Sequence, residues 1–367
     1  MADHTLPDPQ AIAQTVAAAQ AAEEQLVVDE QQNTAGEYDS LDHSSLVGTE
    51  LEVDSAGDKD STLGDELNSN ATSVASSVLQ GNWEHGRRYH SYKTGTYFIP
   101  NDDEEKDRLE LQHKIWYIVL SGRLYLAPLN LDTLHNALDL GCGTGAWVMD
   151  FADAHPKCKI VGTDLSPIQP TAVPENAEFI VDDASSDWAF GKKFDYIHTR
   201  SITSGIKDWD RLLKQAFDHL NPGGWVELHE LHMPIKCDDG TASPNSAIIK
   251  WSVEIYEASL KFGIDMLASL KHAERLREIG FTEVQETHIK WPIGPWPKGN
   301  KEKQIGAMFQ QDIAGNLKGV SQKLFTQVLG QSQEEFEVFI NQAQDDMYNP
   351  KIHTYFPVDI FWAQKPF

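Results

Sequence analysis

The stretch "NALDLGCGTGAWV", residues 136–148, decides how the rest of the chain is read. "NALDL" is a short apolar run of strand type. It enters a turn holding Gly141, Gly143 and Gly145 and leaves into an amphipathic pattern, with Val148, Phe151 and Ala152 at helical spacing and Pro156 as the stop. Strand, glycine turn and helix in that order point to an α/β unit, with bare backbone exposed to a ligand at the turn.

Further along, the same alternation repeats. "CKIVGTDL", "AEFIVDD", "FDYIHT" and "WVELHEL" read as strands two to five. A helix carrying Trp209, Leu212, Leu213, Ala216 and Phe217 separates the last two, and "NPGG" ends it. Helices around 245–262 and 268–279, a sixth strand "FTEVQETHIKW", a helical insertion over 302–346 and a closing strand "IHTYFPVDIFWA" follow. The last strand has room to run antiparallel. The pattern predicts a mostly parallel sheet covered by helices on both faces. Upstream, Asp102 and Asp103 are placed to cap a helix whose inner face is Ile115, Trp116, Val119 and Leu120.

Charge divides the chain. Of the net charge of −26, residues 1–80 hold sixteen acids against Lys59 alone, with Tyr38 as their one aromatic. Such a composition cannot bury enough apolar surface to offset ordering entropy, so this leader is expected to be disordered. It resembles no signal peptide, and no apolar run is long enough to span a membrane. An acidic chain is a poor match for nucleic acid. Cys142, Cys158 and Cys237 lack metal spacing and fit free thiols in a reducing intracellular compartment, cytoplasmic or nuclear. No metal site is expected.

The turn also parses as G-x-G-x-x-A, and Asp164 follows Gly145 by nineteen positions, as in dinucleotide sites. Asp139 separates the readings. A carboxylate two residues before the first glycine would repel a pyrophosphate and attract the ammonium and sulfonium of S-adenosylmethionine. The glycines then let the methionine part lie on the backbone. A nicotinamide site remains open if Asp139 faces away.

"LDLGCGTG", "VGTDLSP", "VDDAS", "FDYIHTR" and "LNPGGWVELHE", in this order, resemble the successive motifs of class I S-adenosylmethionine-dependent methyltransferases. The resemblance implies a Rossmann-like seven-stranded sheet with the cofactor over the ends of strands one to three. Gly141, Gly143 and Gly145 would line the methionine portion, and Asp164, with Leu165 after it, would bind the ribose. Asp183, with Ala184 behind it, would face the adenine, with Asp182 as the rival. "EHGRRYHSYKTGTYFIPNDDEEKDRLELQHK", "WPIGPWP" and "IHTYFPVDIFWAQKP" further resemble the fungal LaeA-like methyltransferases, linked with regulation of secondary metabolism and development. His85 departs from an Asn common there. The implied organisation is a leader at 1–80, a cofactor- and substrate-covering segment at 81–130, and a methyltransferase domain at 131–367.

Some roles follow from residue chemistry. If "GRRYHSY" folds over the cofactor, Tyr89 or Tyr92 would face the sulfonium and Arg87 or Arg88 the methionine carboxylate. Arg200 and Glu230, at strand ends, should point to the open mouth of the sheet. Methyl transfer needs little acid–base help. His90, His198, His229 and Glu230 are the candidate bases, with His90 and Glu230 put first; His198 and His229 read more readily as structural, as does Trp147. The acceptor is a protein or a small molecule. The competing reading is a regulatory binding protein that keeps the cofactor fold and engages a protein partner.

Overall fold

A computed structural model describes residues 81–367 together with Leu51. The disorder expected over 1–80 lies outside the described residues. Strands β1 (Asn82–Glu84) and β2 (Arg87–Tyr89) form a hairpin joined by His85 and Gly86. Both turn residues have positive φ, 51° and 79°, the conformation in which Asn-Gly is favoured. An Asn would suit this first turn position, and His85 holds it with a residue less suited to positive φ.

Helix α1 (Asp103–Val119) starts where Asp102 Oδ1 accepts from the Glu105 amide, 3.1 Å away. The same carboxylate takes two hydrogen bonds from Arg87, at 2.6 and 2.8 Å, so the cap also ties the hairpin to the helix.

The main sheet holds β3 (Asn136–Leu140), β4 (Lys159–Asp164), β5 (Ala177–Val181), β6 (Phe194–Arg200), β7 (Leu220–Leu231), β8 (Thr282–Pro292) and β9 (Tyr355–Gln364). Their order is β5-β4-β3-β6-β7-β9-β8. The five strands from β5 to β7 pair in parallel, and β9 runs antiparallel to both its neighbours. This is the expected seven-stranded α/β sheet. Because β3 pairs with β4 on one side and β6 on the other, the chain reverses direction of winding there and opens a crevice at the strand tips.

Helices α2 (Ala146–Ala154), α3 (Trp209–His219), α4 (Ala247–Phe262), α5 (His272–Ile279), α6 (Asn300–Gly315), α7 (Leu317–Lys323) and α8 (Gln333–Tyr348) complete the architecture. Alternation along the strands feeds two separate cores. Tyr196 packs with Trp147 and Phe151 on one face, whereas Ile197 joins Leu212 and Leu213 of α3 on the other. Each leucine buried this way contributes about 1.5–3 kcal/mol.

Two boundaries differ from the sequence reading. β5 ends at Val181, so Asp182 and Asp183 lie beyond the strand. "NPGG" lies within β7: Leu220 pairs with Phe194, the ladder resumes at Trp225 opposite Tyr196, and Asn221–Gly224 bulge out between them. Gly223, at φ 77°, supplies the bend. Among the described residues no helix is long and apolar enough to cross a membrane.

Candidate functional site

A cavity of about 270 Å³ opens at the switch point. Its floor is the β3 turn. Gly141, Gly143 and Gly145 all have positive φ, from 55° to 83°. For Gly141 and Gly145 the reason for glycine differs from the sequence reading. A Cβ on Gly141 would collide with the Ile202 side chain, and one on Gly145 with the Phe179 ring. Gly145 does not line the cavity, whereas Gly141 and Gly143 do. Close packing beneath the turn, as much as room for a ligand above it, demands glycine.

One buried carboxylate, Asp139, and one half-buried, Asp164, flank this floor. Asp164 sits at the tip of β4, where its Oδ2 accepts from the Gly143 amide (2.9 Å) and its Oδ1 from the Ser166 amide (2.8 Å). Burial pushes it up to about 6 against those hydrogen bonds. Asp139 shares a 2.7 Å hydrogen bond with His198 Nδ1, directly opposite on β6. Burial raises Asp139 to about 7, opposed by the charge of Arg200. Burial also drives His198 well below the usual histidine range, and its ring stacks on Trp147 with centroids 3.8 Å apart. Asp139 lines the cavity, so the condition that kept a nicotinamide site open is not met.

At the β5 side, Leu165, Asp182, Asp183 and Ala184 line the same cavity. Asp183 Oδ1 accepts from the Ser185 amide, and Oδ2 takes Lys93 Nζ at 2.6 Å. Lys93 belongs to the segment between β2 and α1, which thereby reaches across to the β5 tip. It also bonds Ser186 Oγ.

At the β6 and β7 tips, Arg200 and Glu230 both line the cavity. Arg200 Nη2 lies 3.0 Å from His113 Nδ1, and burial lowers its guanidinium to about 10. Glu230 Oε2 accepts from the Thr203 amide and hydroxyl. Glu227 faces the other side of β7, where it takes the Leu126 and Ala127 amides and contacts His229 at 2.6 Å. His229 is thus a structural partner.

Three candidates are corrected. Tyr89 is buried under Lys323, whose Nζ stands 3.6 Å from the ring centroid, and Arg88 is spent on Asn101 through Oδ1 and the backbone carbonyl. Neither lines the cavity. His90 turns away as well, its Nε2 3.3 Å from the Lys93 carbonyl. The hairpin packs on α7 instead, so the covering residues come later in the chain, with Tyr97 in the wall.

The sequence reading also missed a buried charge cluster in the roof. Arg108 binds Glu105 through Nε and Nη2 (2.9 and 2.8 Å) and Asp312 of α6 through Nη1 (3.1 Å). Glu105, Arg108 and Gln112 fall three and four residues apart on one helical face, a polar stripe that the sequence does display. Nothing in the sequence points to Asp312, 204 positions from Arg108.

Residues 111–294 match a protein family described as a methyltransferase domain. This chain belongs to that family. Methyltransferase pytC of Aspergillus terreus is 38% identical to it over 304 residues, covering 82% of this chain and 93% of the relative. The secondary metabolism regulator laeA of Aspergillus fumisynnematus is 33% identical, covering 77% and 76%. The protein-methionine methyltransferase laeA of Emericella nidulans is 31% identical, with coverage of 77% and 76%. The methyltransferase is thus LaeA-like, and S-adenosylmethionine is its methyl donor. The residues present suit that donor: the carboxylates of Asp139 and Asp164, both raised by desolvation, border one cavity and gain from a cation brought between them.

Proposed function

We propose that the methyltransferase modifies a small, largely apolar acceptor in secondary metabolism. S-adenosylmethionine supplies an electrophilic methyl group on a sulfonium. Asp139, Gly141 and Gly143 would hold its methionine part, and Arg200 its carboxylate. Asp164 would hold the ribose, and the Leu165–Asp182–Asp183–Ala184 rim the adenine. The segment before β3 and the helices between β8 and β9 would cover both ligands.

The observation that carries the acceptor class is the continuity of the cavity. From the polar glycine turn it passes without a wall into a chamber lined by Phe98, Met233, Trp251, Met266, Phe309 and Phe356. A peptide backbone laid in such a chamber would leave N–H and C=O groups without partners, a cost of several kcal/mol. An apolar metabolite incurs no such cost. A methionine side chain is the second reading, favoured by the relative named for protein methionine: a lone thioether suits apolar walls.

The test is methyl transfer from labelled donor to cell extract fractionated into protein and small molecules, with Asp164→Ala as the control. Label in the small-molecule fraction, lost in the control, is the expected result. Label confined to protein overturns the acceptor class.

A further inference from the structure

Arg200, at the tip of β6, is half-buried, lines the cavity and carries a charge that no ion pair among the described residues takes up. Its one side-chain hydrogen bond there joins Nη2 to His113 Nδ1 of α1, at 3.0 Å. Arginine carries several N–H donors and no acceptor, so most of them are left for a ligand. The acids whose charges reach it are Asp139, Asp150 and Glu110. Asp139 is bonded to His198 and Asp150 to His113, so neither is spent on the guanidinium.

His113 is buried, 8% exposed, between two groups of opposite demand. A guanidinium can only donate, so Nδ1 presents a bare lone pair to it. Nε2 lies 2.9 Å from Asp150 Oδ2 of α2, and a carboxylate can only accept, so the ring proton sits on Nε2. Both contacts select the same neutral tautomer. Burial and the charge of Arg200 hold the imidazole below the usual histidine range, against the pull of Asp150. The Asp150 side chain is 52% exposed, so water screens that pull. A carboxylate in the place of His113 would hold Arg200 equally well, yet would neutralise it. A neutral ring nitrogen fixes its direction and leaves its charge free.

Resting on the reading that Arg200 takes the methionine carboxylate of the donor, we propose that His113 is a positioning residue, locked by Asp150 in the tautomer that aims Arg200 into the cavity with its charge unspent. Asp139 and Arg200 then meet the ammonium and the carboxylate of one amino-acid end, opposite charges matched to opposite charges. His113 does not line the cavity and acts only through Arg200. The chain of contacts runs from α2 through α1 to β6, so the segment that covers the site also sets the group that grips the donor.

The test compares two ligands in each protein by calorimetry at neutral pH: S-adenosylhomocysteine, which has the carboxylate, and 5′-methylthioadenosine, which lacks the whole amino-acid end. Their affinity ratio is read within one variant, so a general loss of stability cancels. Arg200→Ala should lower the preference for S-adenosylhomocysteine by about tenfold or more, the worth of a hydrogen bond to a charged group. His113→Phe should lower it by roughly three- to tenfold. His113→Asn, whose amide oxygen can replace Nδ1 as acceptor, should restore most of it, whereas His113→Glu should not, because it neutralises Arg200. Nitrogen NMR of the wild type should show His113 with a protonated Nε2 and a bare Nδ1. An unchanged ratio in His113→Phe, an equal loss for both ligands, or a proton on Nδ1 overturns the proposal. An unchanged ratio in Arg200→Ala overturns the reading of Arg200 itself, and the proposal with it.

Discussion

Replacing Arg108 with methionine should cost the protein about 3–5 kcal/mol, the range for removing one partner of a buried ion cluster. The side chains of Arg108, Glu105 and Asp312 are 9%, 4% and 1% exposed, so water cannot take over the lost contacts. Methionine keeps much of the volume but strands two carboxylates. Asp312 already shows the strain: burial and the neighbouring Glu105 outweigh Arg108 and raise it from 3.8 to about 6. Arg108 itself is pushed upward, its two acids overcoming the opposing effect of burial. A carboxyl raised on folding stabilises the native state below its unfolded value and loses that contribution as pH climbs through the folded one. Without the guanidinium the folded value of Asp312 rises further. The deficit of Arg108→Met should therefore widen from pH 5 to pH 8. Urea unfolding at several pH values measures this, and Arg108→Met/Asp312→Leu should recover part of the loss. A deficit under about 1 kcal/mol that ignores pH would show a solvated surface pair, and the account of the roof would be wrong.

Four other outcomes follow from the geometry. His85→Asn should stabilise the protein by roughly 0.5–1 kcal/mol by suiting the positive φ of the hairpin turn, read as a shift in the urea midpoint. Gly145→Ala should destabilise by about 2–5 kcal/mol, because its Cβ meets Phe179 and φ is 83°, and calorimetric melting checks this. Lys93→Ala should speed S-adenosylmethionine release by up to about fivefold without altering unfolding, as stopped-flow displacement would show. Affinity for S-adenosylmethionine should rise on the order of tenfold from pH 5.5 to 8, as Asp164 and Asp139 ionise near 6 and 7 and the charged forms favour the cation. Asp164→Asn should flatten the lower half of that rise in calorimetric titrations.

The parts of the site legible in the sequence are those built from neighbours along the chain. The β3 strand, its glycine turn and the acid at the tip of β4 each announce themselves within a few residues, because a turn or a strand end is a local demand. What the sequence hides is contact across the fold. Arg108 meets Asp312 only because the helices between β8 and β9 fold back over α1. Tyr89 and Arg88 mislead for the same reason: "GRRY" has the chemistry of a cofactor cover, yet Lys323 and Asn101 occupy those side chains. Even the glycines were legible in identity and not in cause, since Phe179 lies 34 positions beyond Gly145 in the chain.

The position of β9 between β7 and β8 bears on how the protein emerges from the ribosome. β9 is made after every other strand, yet it must enter the sheet rather than join its edge. Until it does, β7 and β8 each present an unpaired flank, and the Phe356 wall of the acceptor chamber is missing. Nascent chains stalled before residue 355 should accordingly be sticky and unable to retain the methyl acceptor, whatever the state of the glycine turn.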